Sequence, residues 1–254
     1  MHSVPLNSTR ADQPLVSVVM PVWNRERFVA RAVESVLNQT FSDFELIIID
    51  DGSTDRTPMI LREISDPRVR IIHQKNTGEY AATNVGFSHV RGVYTTWIHS
   101  DDWWPEDSLE CRVNALADHP YADFVHADIA KVEEDGTLRE YISGVDRSAE
   151  EILREYCDQY VAALKAGRGI TLMHFSTILV RTAIREKVGL MDAVLPHAGD
   201  FDWMLRLLEL ARGVYVPKLA YYYRRHPQTK SREDARRVDT VSIVERIIAA
   251  HRVE

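Results

Sequence analysis

The chain has 254 residues, 45% hydrophobic and 27% charged, which suits one large α/β domain or two small ones. Its 31 Lys and Arg against 38 Asp and Glu leave a formal charge of −7, which excludes a basic nucleic-acid-binding surface. Two cysteines without a CxxC spacing exclude a disulfide framework and a zinc site, and no apolar run reaches the ~20 residues that span a bilayer.

Residues 1–14 are polar, lack a signal-peptide core and read as a flexible leader. Val16-Ser17-Val18-Val19-Met20 has a buried-strand pattern stopped by Pro21, and from Phe28 the apolar residues Val29, Ala32, Val33, Val36 and Leu37 recur at helical spacing. Leu46 to Ile49 is a second strand, too apolar to be exposed on either face. Thr54 or Asp55 can cap a helix running to about Ile64. Val69 to Ile72 predicts a third strand, Glu79 to Val90 a helix, Tyr94 to Ile98 a fourth strand, Pro105 to Ala117 a helix, and Phe124 to Ala127 a fifth strand. Such alternation predicts a mostly parallel sheet covered on both faces.

The second half is less regular. Glu133-Glu134-Asp135-Gly136 predicts a hairpin turn, Ser148 to Leu164 a helix, and Gly167-Arg168-Gly169 a break. Ser176 to Val180 reads as a strand, Phe201 to Ala211 as a helix, and Val214 to Val216 and Ala220 to Tyr223 as two short strands. Val241, Val244, Ile247 and Ile248 mark a final amphipathic helix that can pack on its own domain or on a second copy of the chain.

Two predicted strands end in adjacent carboxylates, Asp50-Asp51 and Ser100-Asp101-Asp102. Open α/β sheets bind ligands at that edge, and Mg²⁺ or Mn²⁺ takes one or two carboxylates plus substrate phosphates. The alternatives are an Asp-Gly turn for the first pair and a helix N-cap for the second. Met20 to Asn24 matches neither the Gly-rich dinucleotide fingerprint nor a P-loop. Arg224 and Arg225, with Lys230 and Arg232 near, form a cluster suited to phosphate. Asp200 stands at a helix start, where an acid serves as a cap or as a base. Trp103 and Trp104 offer faces for a sugar ring or a cap on the core, while Trp97 and Trp203 read as packing. His174 and His197 are candidates for the lining of an acceptor cleft.

Seven motifs in order carry a resemblance: Val18 to Asn24, Ser35 to Thr40, Asp50 to Asp55, Asn76-Thr77-Gly78, Asn84-Val85-Gly86, Ser100-Asp101-Asp102 and Gly199-Asp200. Over roughly residues 15–230 the chain resembles the family 2 glycosyltransferases of the GT-A fold. That implies an α/β fold with a mostly parallel, Rossmann-like central sheet flanked by helices. Residues 15–130 would form the nucleotide-sugar half, 131–230 the acceptor half and 231–254 the C-terminal helix.

The resemblance also implies a metal-dependent, inverting transfer from a nucleotide-diphosphate sugar, a UDP-sugar above all. The acceptor would be a hydroxyl of a glycan, a lipid-linked sugar or another molecule, in a cytoplasmic enzyme that can contact the membrane peripherally. Pro21, Val22 and Asn24 would line the base, Asp51 would bond it, and Asp50 would support the turn. Asn76, Gly78 and Asn84 fall in the donor-binding motifs. Asp102 would be the direct ligand of Mn²⁺ or Mg²⁺ with His226, Asp101 would face the ribose or sugar, and Arg224 the diphosphate. Asp200 would be the catalytic base. Three positions depart from the family: His99 for an acid, Thr83 for Arg, and Gly199 for Glu. A nucleotidyltransferase and a non-catalytic sugar-nucleotide-binding protein are the rival readings; a glycoside hydrolase would need two carboxylates flanking one bond.

Overall fold

The computed structural model describes residues 13–166, 171–195, 198–227 and 236–251. Almost all of the leader, the Gly167–Gly169 break, His197, Lys230 and Arg232 lie outside the described residues.

Strands β1 (Val16–Val22) and β2 (Phe44–Asp51) are buried along their whole length. Their side chains alternate between faces. Val18, Met20, Leu46 and Ile48 pack under helices α1 (Val29–Leu37), α2 (Thr57–Arg62) and α4 (Ser108–Asp118), while Val19, Ile47 and Ile49 pack on the opposite face. A strand covered twice needs apolar residues at consecutive positions. On that second face lie α3 (Glu79–Ser88), α5 (Ala149–Lys165), α7 (Gly199–Leu210) and α8 (Arg236–His251).

The remaining strands are β3 (Val69–Gln74), β4 (Tyr94–Trp97), β5 (Phe124–Glu133), β6 (Leu138–Ile142), β7 (Leu179–Arg181) and β8 (Gly213–Arg225). The sheet runs β3-β2-β1-β4-β7-β5-β6, with β8 parallel to β5. Strands β1 to β4 are mutually parallel, and β7 and β6 run against their neighbours. The sheet is thus mixed and mostly parallel.

Several boundaries differ from the sequence reading for identifiable reasons. β1 continues through Pro21. Val19 O accepts from Ile98 N, so residue 21, two further on, faces the same side, where β4 has already ended at Trp97 and a missing N–H costs nothing. Val214–Val216 and Ala220–Tyr223 are parts of one strand, joined where the register shift at Ala127/Asp128 absorbs Pro217 and Lys218 and that at Asp128/Ile129 absorbs Ala220. Ser176 falls in a short 3-10 turn, Phe175–Thr177, ahead of β7. A seven-residue helix, α6 (Thr182–Val188), was not legible at all. Ser148 caps α5 through a capping box with Glu151. The C-terminal helix buries Ile243, Val244, Ile247 and Ile248 in the same core as α5 and α7, so its apolar face is satisfied within the chain.

Candidate active site

The carboxyl ends of β1, β2 and β4 meet at one edge, since Val19 pairs with Trp97 and Val22 with Asp50. Asp50 and Asp51 are both buried. Asp50 Oδ1 accepts from Ser53 N at 3.0 Å and its Oδ2 meets His73 Nδ1 at 3.0 Å, which is the expected turn support. Asp51 is committed differently from the expectation that it bonds a base. It accepts from Gln74 Nε2 at 2.7 Å, Thr77 N at 2.9 Å and Gly78 N at 2.9 Å, pinning the β3–α3 loop. Gly52 makes this turn feasible: its φ is +70°, and a Cβ there would lie 2.8 Å from Asn76 N.

Asn24, also left-handed at φ 51°, clamps the β1–α1 loop to the β2–α2 loop, its Oδ1 accepting from Thr54 N at 2.8 Å. Asn76 is exposed on the β3–α3 loop beside this edge. Val22 is buried in the core with α1, not presented to a ligand. Both polar atoms of the Asn84 side chain bond the backbone of Met191, at 2.8 and 2.9 Å, tying α3 to the segment before α7.

Adjacent residues of the acidic motif have different partners. Asp102, expected as the direct metal ligand, is 2% exposed. Its Oδ2 accepts from Tyr221 Oη at 2.8 Å and its Oδ1 from Arg224 N at 2.8 Å, which fastens β8 to the end of β4. Burial, reinforced by the charge of Asp101, pushes the Asp102 carboxyl up against the opposing His99 hydrogen bond. Asp101 instead faces His226, with Nε2 3.1 Å from Oδ2, and receives Arg25 Nε at 3.1 Å on the same oxygen. Burial would raise its carboxyl, but His226, Arg25 and His99 outweigh it and hold Asp101 below the usual range.

The His226 ring is buried against Phe28, centroids 4.5 Å apart. A carboxylate oxygen and an imidazole nitrogen at this spacing fit Mn²⁺ or Mg²⁺ as a partial donor set. Among the described residues no cluster of three or more His, Cys, Asp or Glu gathers for a metal, so substrate oxygens and water would have to complete the shell. Arg224, expected at the diphosphate, holds its guanidinium between Phe28 at 4.8 Å and Trp103 at 4.7 Å. Trp103 also stacks on Tyr222 and carries Arg31 at 3.7 Å, and Trp104 is buried; both line a second pocket with Arg31, Glu34 and Asn38, away from Asp200.

Beside the acidic motif a pocket opens, lined among others by Pro21, Glu79, Tyr80, His99, Met191 and Asp200. Asp200 is the second residue of α7, one past the N-cap Ala198 and Gly199, so it lies in the first turn where the helix dipole favours an acid. Its Oδ1 accepts from Phe201 N at 2.9 Å and from Tyr80 Oη at 3.3 Å. Burial and the charge of Glu79 raise the Asp200 carboxyl, with His99 opposing. His99 sits in a chain of partners: Nε2 lies 3.1 Å from Glu79, and Nδ1 lies 3.2 Å from the Tyr221 hydroxyl that also bonds Asp102. Burial alone would lower the imidazole; its bonds to Asp102 and Glu79 prevail and hold it well above the ordinary value. His174, by contrast, caps the 3-10 turn, and burial pushes it down to about 3, so it is a neutral structural group.

Arg25, Glu79, Tyr80 and Tyr221 were missed by sequence reasoning. Arg25 directly follows the Asn24 motif, and Glu79 and Tyr80 directly follow Asn76-Thr77-Gly78. That adjacency was the available signal; Tyr221 gave none, because it lies on a strand more than a hundred residues from its partner.

The sequence model of the family described as Glycosyl transferase family 2 matches residues 17–189. The chain is 31% identical over 210 residues to a chondroitin synthase of Escherichia coli, covering 82% of this chain and 28% of that protein. It is 32% identical over 222 residues to the putative glycosyltransferase EpsH of Bacillus subtilis strain 168, covering 85% of this chain and 62% of the relative. It therefore spans less than two thirds of either relative. Among solved structures, S. aureus TarS in complex with UDP superposes with a TM-score of 0.69 at 20% identity, over 93% of this chain and 64% of that one. A Pyrobaculum calidifontis mannosyltransferase in complex with GDP-Man and Mn²⁺ gives 0.64 at 18% identity, over 96% and 66%. Those structural likenesses establish the GT-A fold, and the sequence matches establish the rest: the chain belongs to glycosyl transferase family 2.

Proposed function

We propose that this chain transfers a sugar from a nucleotide-diphosphate sugar, UDP-linked in the first instance, to an acceptor hydroxyl with inversion at the anomeric carbon. The observation that supports the reading is that Asp200 lines a pocket with Pro21 and His99 from the carboxyl ends of β1 and β4, and that Asp101, paired with His226, follows two residues after His99. A divalent ion held by Asp101 and His226 with the diphosphate would supply charge neutralisation for the leaving group. The chain's own residues do the rest. Arg25 steadies Asp101, Asp51 and Gly52 fix the loop bearing Asn76, and Asp200 accepts the proton of the attacking hydroxyl. A base whose affinity for protons is raised by burial suits that task better than an exposed aspartate.

Residues 15–130 form the donor half in this reading and 131–230 the acceptor half, with the C-terminal helix closing the core beneath the latter. The acceptor is a glycan, a lipid-linked sugar or another hydroxyl compound; TarS and the mannosyltransferase, bound to UDP and GDP-Man, support a nucleotide donor. No helix among the described residues is long and apolar enough to cross a membrane.

Calorimetric titration of UDP with Mn²⁺ and then with EDTA tests the donor site. Metal-supported binding that is lost in Asp101→Asn is expected; binding indifferent to both metal and Asp101 would overturn the metal reading. Asp200→Asn is expected to lower kcat by about 10²–10⁴-fold with the fold intact. Proton NMR of the product's anomeric coupling tests inversion, which a retained configuration would refute.

A further inference from the structure

Tyr80 belongs to none of the motifs that mark this site, yet it reaches further into it than most residues that do. It is the second residue of α3 and lines the pocket with Asp200. Its hydroxyl donates to Asp200 Oδ1 at 3.3 Å, an oxygen already receiving Phe201 N at 2.9 Å. Both of these bonds fall on the same carboxylate oxygen.

We propose that Tyr80 is a positioning residue for Asp200, and that Gly199 is present to admit its ring. This rests on the reading of Asp200 as the base. A Cβ at residue 199 would lie 2.8 Å from Cδ2 and Cε2 of the Tyr80 ring, inside any tolerable contact. The ring therefore lies against the first turn of α7, and its hydroxyl reaches the next residue along. The Glu that the family resemblance leads one to expect at 199 could not share that space with Tyr80. The missing acid and the intruding tyrosine are one change rather than two.

The titratable groups facing Asp200 are Tyr80 and Glu79 from α3, His99 from the end of β4, and Tyr160 from α5. Glu79 and His99 act by charge and oppose each other; among the described residues Tyr80 is the side chain that donates a hydrogen bond to it. Burial and the charges of Asp200 and Glu79 raise the phenol, so it keeps its proton throughout the working range and cannot itself serve as base. A donor to the ionised carboxylate favours that form and fixes the orientation of the group.

The test is carbon-13 NMR titration of the Asp carboxyl carbons in the intact chain, the Asp200 signal being the one absent from Asp200→Asn. In Tyr80→Phe, which keeps the ring, the Asp200 midpoint should rise by about 0.5–1 pH unit. Gly199→Ala, which keeps the hydroxyl but displaces the ring, should move it in the same direction. UDP release from UDP-glucose and UDP-N-acetylglucosamine with Mn²⁺, water serving as acceptor, should show kcat in Tyr80→Phe down several-fold, about 3–10-fold, with KM unchanged. An unmoved midpoint in both variants, with Asp200→Asn inactive, overturns the positioning role and leaves the base intact. Wild-type turnover in Asp200→Asn overturns the base reading and the positioning role together.

Discussion

Asp101 and Asp102 are neighbours in sequence, and their different partners predict opposite phenotypes. Asp102→Ala removes the acceptor of the Tyr221 hydroxyl and of Arg224 N, both at 2.8 Å and both buried. Each buried group left without a partner costs about 1–3 kcal/mol. His99 remains within 3.2 Å of the Tyr221 hydroxyl and offers partial compensation, so the lower part of the range applies, about 2–4 kcal/mol in all. At about 2–4 °C per kcal/mol for a domain of this size, Tm should fall by roughly 5–15 °C. Asp101→Asn keeps an oxygen toward His226 and sheds only the charge, so its Tm should stay within about 3 °C of wild type. Its metal-supported UDP affinity should fall by at least the ~10–100-fold that changes behind a metal ligand produce. Scanning fluorimetry and calorimetry on the two purified variants read both quantities. The reasoning is refuted if Asp102→Ala melts with wild type while losing metal-supported binding, because Asp102 would then be the ligand and its inward hydrogen bonds incidental.

Two further outcomes follow from the same structure. Gly52→Ala forces a β-carbon onto a left-handed residue 2.8 Å from Asn76 N, which should cost at least about 1–2 kcal/mol and loosen the loop that Asp51 holds; Tm and UDP affinity measured together should both drop. His251 lies 2.6 Å from Glu209 and 3.7 Å from Asp202, and its bond to Asp202, then Glu209, raises the imidazole above 6.5. A group raised on folding stabilises fully below its unfolded value and loses that contribution as pH climbs through the folded one. The Tm difference between wild type and His251→Asn should therefore be largest below pH 6.5 and shrink above it; a difference that grows with pH would contradict the clasp.

The fold was legible wherever burial alone dictated residue choice. β1 and β2 are apolar at consecutive positions because helices cover both faces, and no other arrangement accounts for Ile47-Ile48-Ile49 so simply. Legibility failed where tertiary partners override local signals. Pro21 stays in a strand because its neighbour on that side has ended. Pro217 and Lys218 interrupt the pattern of β8 without ending it, since the register shift at Ala127/Asp128 takes them up. Helix α6 has few residues and a weak pattern, and it is defined by its packing against α7, β7 and β4.

The site was legible as a set of positions and not as a set of directions. A sequence can place Asp101 and Asp102 at a strand end, but which of them faces the cleft depends on what β8 brings opposite them. β8 brings Tyr221 and the Arg224 backbone to one and, just beyond its end, His226 to the other. The same holds for the departures at His99, Thr83 and Gly199. They stand far apart in sequence and look like independent losses. In space Thr83 and His99 line one pocket, and Gly199 packs against the Tyr80 that lines it too. There Glu79 restores a carboxylate beside the imidazole that replaced one, and Tyr80 fills the room that Gly199 leaves. Glu79 pairs with His99, which reaches the Tyr221 hydroxyl that bonds Asp102, and Tyr80 bonds Asp200, so the polar groups around both carboxylates stay partnered, as the catalytic reading requires.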